Sequence, residues 1–235
     1  MLQMGNMTPE QAIFFRDNGY LLLKGALPRK QLDPIKNHVL AELKRLKIWS
    51  SGRTLSASMK KTPVFQQVTK QIQLIRYPAL YSRVITPEIQ SAITSLAQRR
   101  LGFDQDAQFL ISLPHGIDWT LHGLKWHVDI SLDTPGLPGI QAFILIDDVR
   151  LRGGATMAVV GSHALADRGK RGRAREILKG SGDIEKELAD LGLSILEMSG
   201  EAGDVYLMDM RLLHTPSVNA TQNVRLMATA RFFTV

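Results

Sequence analysis

The chain is expected to fold as a helical first part followed by an all-β sandwich or barrel, and three observations carry that expectation. Near residue 105 the pattern changes, from apolar positions recurring at helical spacing to short β-prone runs. The runs are divided by turn signals, among them Pro135-Gly136, Pro138-Gly139, Gly153-Gly154 and Gly200. Many short strands with few intervening helices bury their apolar faces by closing on one another. The 235 residues, 44% hydrophobic and 22% charged, can bury a real core. One domain is expected over 1–235, with 1–104 a mainly helical buttress and 105–235 the β core.

Thr8 can cap a first helix, with Pro9 in its first turn and Gln11 completing a capping box; Asn18-Gly19 stops it. Tyr20 to Leu23 reads as a strand. Gln31 to Lys47 reads as a helix, with Leu32, Ile35, Val39, Leu43 and Leu46 as its apolar stripe. Val64 to Arg76 and Pro87 to Arg100 read as two more. Strands are expected at Phe109–Leu113, Ile140–Ile146, Thr156–Val160, Asp204–Met208 and Val224–Phe233, with one helix near Asp183–Leu191.

Composition narrows the chemistry. With no cysteine, a disulfide scaffold, a thiolate zinc site and a cysteine nucleophile are excluded, so any metal must be held by imidazole and carboxylate. No signal peptide is read in residues 1–8, and no apolar run is long enough to span a bilayer, so a soluble cytoplasmic protein is expected. The net charge of +7 favours an anionic partner. Much of it lies in Arg168, Lys170, Arg171, Arg173, Arg175 and Lys179, opposed by Glu176. Two readings stay open for this run: a solvated loop, or a mobile lid that recruits a phosphorylated or carboxylated substrate, with Arg171 and Arg173 as contacts.

Trp126-His127-Val128-Asp129 contains a His-x-Asp pair, whose side chains point to one face if the segment is extended. Alone the pair is weak, since chance supplies it in roughly a third of chains of this composition. Downstream, His214 follows a turn and a strand-like run, and Arg225 lies in the next such run. Two histidines and a carboxylate on one face of a metal leave three positions open, as a non-haem iron(II) oxygenase needs for a bidentate co-substrate and dioxygen. Arg225 can fork onto the far carboxylate of 2-oxoglutarate.

These segments resemble the phytanoyl-CoA dioxygenase family. Phe15 to Leu21 resembles its F-x-x-x-G-Y/F opening, and Trp126–Asp129 its W-H-x-D metal motif. Gly154 with Val159-Val160-Gly161-Ser162-His163 is similar to its G…P-G-S-H segment, with Val160 in place of Pro. His214, Asn219, Thr221 and Arg225 keep its H-x(4)-N-x-S-x(3)-R spacing, with Thr for Ser. The resemblance implies a double-stranded β-helix buttressed by helices, iron(II) on His127, Asp129 and His214, and 2-oxoglutarate on Arg225. Pro216 stands where the family often has a small hydroxyl residue, which moves the helper hydroxyl to Thr221. Family members that halogenate carry a small residue at the carboxylate position, so Asp129 implies hydroxylation or a related oxidation such as desaturation or ring closure.

Trp126 precedes a ligand and is a candidate wall for substrate, with core packing as its other role. Arg231 is six residues beyond Arg225, on the same face of a straight strand, and is a candidate for co-substrate, anionic substrate or a structural ion pair. His163 is expected to be structural, His115 and His122 flank the approach to the metal motif, and His38 is expected to be exposed. The substrate is expected to be a small, anionic or carrier-linked metabolite. Two other readings remain: a nucleic-acid oxidative demethylase, whose Arg-x(5)-Arg pair Arg225 and Arg231 imitate, and a non-catalytic cupin-like metal-binding protein.

Overall fold

The computed structural model describes residues 7–49, 75–103, 106–115 and 118–234. Helix α1 (Pro9–Asn18) has the expected capping box, and ends where Gly19, at φ 79°, donates its N–H to Phe15 O at 2.7 Å. Strand β1 (Tyr20–Leu23) follows, then α2 (Arg29–Arg45), which buries Leu32, Ile35, Val39 and Leu43. The helix expected at 64–76 falls outside the described residues, except that Ile75 and Arg76 are irregular. Helices α3 (Leu80–Val84) and α4 (Pro87–Ala97) come next. Thr86 caps α4, which stops short of Arg100 because Gln98 turns left-handed, at φ 53°.

The strands are β2 (Leu101–Phe103), β3 (Gln108–Ser112), β4 (Gly139–Leu145), β5 (Thr156–Val160), β6 (Ser194–Glu197), β7 (Val205–Asp209), β8 (His214–Pro216) and β9 (Arg225–Thr234). They form two antiparallel sheets. The larger runs β1-β7-β4-β9, with β2 and β3 end to end along the far side of β9; the smaller runs β6-β5-β8. Strands β6, β8 and β2 were not anticipated. Among the described residues no helix is long and apolar enough to cross a membrane.

Alternation along the strands sorts the side chains into three cores. Ile140, Ala142 and Ile144 of β4, with Leu226, Ala228, Ala230 and Phe232 of β9, face α1 to α4. Phe143, Leu145, Tyr206, Met208 and Met227 face the smaller sheet and meet Ala158 of β5. Met157 and Val159, on the other side of β5, pack beneath two more helices.

Those helices overturn one expectation. The basic run is neither a solvated loop nor a mobile lid but helix α5 (Arg168–Lys179). Asp167 caps it by accepting from the N–H groups of Gly169 and Lys170. Ala174, Ile177 and Leu178 recur at i, i+3 and i+4 and are buried against β5. Helix α6 (Ile184–Ala189), capped by Asp183, packs beside it.

Candidate functional site

His127 and Asp129 lie on an extended segment that runs antiparallel to residues 210–214. His127 N–H donates to His214 O at 3.0 Å, and His214 N–H returns a bond to His127 O at 2.9 Å. Asp129 and Ile130 both donate to Met210 O at 3.1 Å. This pairing sets the two imidazoles side by side, centroids 4.3 Å apart. Asp129 Oδ2 lies 3.8 Å from His214 Nε2. One ligand atom from each of the three residues falls within 4.8 Å of the others.

The imidazole tautomers follow from the backbone. His127 Nδ1 is 3.0 Å from Lys125 O, and His214 Nδ1 is 3.0 Å from Leu212 O. A carbonyl only accepts, so each Nδ1 carries the proton and each Nε2 keeps a lone pair, the arrangement a metal requires. Burial lowers the His214 pKa below the usual imidazole value, which keeps it neutral and ready to bind. Asp129 Oδ2 is buried without a hydrogen-bond partner among the described residues. The Arg231 guanidinium, 3.7 Å away, faces that oxygen without hydrogen-bonding it, so a lone pair stays free beside the two imidazoles, and this is the observation by which the trio fits a metal ion.

The turn that delivers His214 is braced by an ion pair that the sequence did not single out, Asp209 with Arg211, and by the Gly-Ser-His segment that it did. Arg211 grips buried Asp209 through two oxygens, at 3.0 and 2.7 Å, and donates to Thr134 O. The buried Ser162 hydroxyl accepts from Leu213 N–H at 2.9 Å. On either side of it, Gly161 N–H bonds Asn18 O and His163 Nε2 bonds Arg16 O. The Gly-Ser-His segment thus ties the end of α1 to the ligand turn, and His163 is not a ligand. An Asp and an Arg two apart after a strand, Asp209 and Arg211, was the available signal for the first brace.

Arg225 begins β9 on the inter-sheet face. It is buried and donates from Nε to Gly154 O at 2.7 Å and from Nη1 to Leu110 O at 2.8 Å. Burial pushes its pKa down to about 10. Thr221 lines a small cleft with Arg225, Asp148 and Gly153. Its hydroxyl donates to Asn219 Oδ1 at 2.7 Å and shapes the turn into β9, so its proton is already committed there.

Trp126 takes its core-packing role, and two other substrate candidates are engaged elsewhere. Trp126 and Val128 pack into the core beneath α5, on the face opposite His127 and Asp129, because successive residues of an extended segment point apart. Arg171 bonds Leu165 O and Asp133, at 2.7 Å for the latter, pinning α5 to the segment after the metal motif. Arg173 pairs with Glu187 and Glu176. Arg231 keeps its place near the site: its Nε is 3.7 Å from Asp129 Oδ2, and its side chain is 47% exposed. His122 bonds Gly180 O, and His38 bonds Arg76 O.

A model of the phytanoyl-CoA dioxygenase family matches residues 15–227. The chain belongs to that family. Among curated proteins no match is found. This phytanoyl-CoA dioxygenase family member resembles several solved structures. The non-haem α-ketoglutarate-dependent carbocyclase SnoK of nogalamycin biosynthesis is 21% identical, with a TM-score of 0.64 over 98% of this chain and 85% of that one. The epimerase SnoN, in complex with Fe3+, α-ketoglutarate and nogalamycin RO, is 18% identical, with a TM-score of 0.61 over 95% and 82%. EctD from S. alaskensis, with 2-oxoglutarate and 5-hydroxyectoine, is 16% identical, with a TM-score of 0.65 over 97% and 77%. At these identities the likeness is one of fold.

Proposed function

We propose that the protein is an iron(II)- and 2-oxoglutarate-dependent dioxygenase that hydroxylates a C–H bond of a small metabolite, within a single double-stranded β-helix domain. The observation that carries this is the converging trio, two imidazoles and a carboxylate whose ligand atoms lie within 4.8 Å of one another, with no fourth protein ligand grouped with them among the described residues. Three donors leave room for a bidentate co-substrate and dioxygen.

Iron(II), 2-oxoglutarate and dioxygen together supply an oxidant able to take hydrogen from an unactivated C–H bond. The chain supplies the rest. His127, Asp129 and His214 would hold the metal, with Lys125 O and Leu212 O keeping both imidazoles in the ligating tautomer. Arg225 would fix the distal carboxylate of 2-oxoglutarate; its burial makes an anion there more strongly held than at a wet surface. Phe143 stands with its ring edge-on 6.5 Å from His214 and packs against that ligand. The carbocyclase and epimerase among the similar structures are the reason to assay ring closure and epimerisation beside hydroxylation. The net charge of +7 supports an anionic or carrier-linked substrate.

The test is an anaerobic titration with iron(II) and then 2-oxoglutarate, watching for the visible charge-transfer band of the chelate. The band is expected in the wild type and absent from His214→Ala and Asp129→Ala. A wild type that binds iron and shows no band would sink the 2-oxoglutarate assignment and favour a cupin-like metal protein.

A further inference from the structure

Two polar side chains on the inter-sheet face are left unused by the metal and the co-substrate anchor. Gln141 shares parity on β4 with Phe143 and Leu145, so it faces the smaller sheet, and it is 3% exposed. The orientation of its amide follows from its neighbour. Thr229 Oγ1 donates to Ala142 O at 2.9 Å, and a hydroxyl has one proton to give. Thr229 can therefore only accept from Gln141, which it does from Nε2 at 2.9 Å. Gln141 Oε1 is thereby turned the other way, buried and without a hydrogen-bond partner among the described residues. An acceptor so placed is costly until a donor meets it.

Arg231 is the register partner of Gln141 on β9. Side chains directly opposite on antiparallel strands stand close, with Cβ atoms about 5 Å apart. The guanidinium reaches Asp129 from a half-exposed position, while Arg225 lies six residues back along the same strand, about 20 Å by the strand rise. Arg225 is assigned to the far carboxylate of the co-substrate, which leaves Arg231, beside the ligand Asp129, free to serve the substrate.

Building on the oxygenase reading, we propose that Gln141 and Arg231 form the substrate subsite, and that the substrate is a 2-hydroxy or 2-amino carboxylic acid. Its carboxylate pairs with Arg231, and its neighbouring O–H or N–H donates to Gln141 Oε1. A cation and an acceptor side by side match an anion and a donor on adjacent carbons. A plain acid leaves Gln141 Oε1 unmet, and an ester leaves Arg231 without its anion.

The experiment uses whole protein loaded anaerobically with cobalt(II) and 2-oxoglutarate, each uptake measured first. Calorimetry then compares 2-hydroxybutanoate, 2-aminobutanoate, butanoate and methyl 2-hydroxybutanoate, with the six-carbon homologues of each. A hydroxy or amino acid is expected to bind roughly tenfold or more tightly than both its unsubstituted partner and its ester. Gln141→Met should erase the preference over the unsubstituted acid and keep that over the ester; Arg231→Met should do the reverse. The proposal is overturned if no acid in the set binds loaded protein, or if both preferences survive both substitutions. Failure to take up cobalt and 2-oxoglutarate would instead count against the oxygenase reading itself.

Discussion

Replacing Arg225 with Met separates its two roles, strut and anchor. The side chain is buried, and its pKa falls from 12.5 to about 10 through loss of hydration. At ~1.4 kcal/mol per unit, holding the cation there costs the metal-free protein about 3 kcal/mol. Its bonds to Gly154 O and Leu110 O offset that cost. The substitution relieves the burial cost and orphans two carbonyls, at about 1–3 kcal/mol each. The net change in stability is therefore small, from a gain of about 1 to a loss of about 3 kcal/mol. Binding of 2-oxoglutarate should suffer more, because truncating one side of a buried charge pair costs about 2–5 kcal/mol, roughly thirtyfold to a few thousandfold in Kd. The assay is anaerobic calorimetry of 2-oxoglutarate on metal-loaded protein, beside thermal melts with and without it. In the wild type, co-substrate at about a hundred times Kd should add about 3 kcal/mol of stability; in the variant at the same concentration the gain should fall to about 1 kcal/mol or less. A variant that loses well over 4 kcal/mol yet keeps its 2-oxoglutarate affinity within threefold would refute the reasoning and leave Arg225 a strut alone.

The metal-free protein should lose stability as pH falls below the unfolded imidazole value of 6.5, because burial depresses the His214 pKa and the unfolded chain takes the proton first. The slope is at most ~1.4 kcal/mol per pH unit from this group; denaturant titrations across pH 5 to 8 should show it, and His214→Asn should flatten it. Arg211→Met leaves Asp209 buried and unpaired, so a loss of about 3–5 kcal/mol is expected, with weaker cobalt(II) binding because the His214 turn loosens. Arg211→Lys, which keeps the charge without the fork, should recover part of both, and unchanged cobalt affinity in Arg211→Met would show that the brace does not reach the ligands.

Much of the site was legible because extended chain alternates. Trp126, His127, Val128 and Asp129 need only an extended backbone to divide into two core residues and two site residues, and an aromatic beside a ligand on a strand belongs more often with the first pair, as Trp126 does. Arg225 was legible from its place in the strand after His214. Strand β8 was not: three residues ending in proline carry no periodicity, and His214–Pro216 becomes a strand only by pairing with β5. Helix α5 was masked by Gly169 and Gly172 and by like charges that repel one another in an isolated helix; the burial of Ala174, Ile177 and Leu178 supplies the stability that local preference withholds. The Thr221 hydroxyl looked available because its partner, Asn219, is engaged through a turn that spacing alone does not describe.

The Gly161-Ser162-His163 clamp bears on how far this molecule can be trimmed or recombined. Its outer bonds are received by Asn18 O and Arg16 O at the end of α1, its inner one comes from Leu213, next to a ligand. A shortened version beginning at Tyr20 would keep every strand and all three ligands, yet strip two buried donors of their acceptors one residue either side of the group that steadies His214. The first helix is therefore inherited with the metal centre as a unit. Chimaeras that exchange N-terminal segments between related proteins should cross over before Pro9 or carry the matching Gly-Ser-His segment with them.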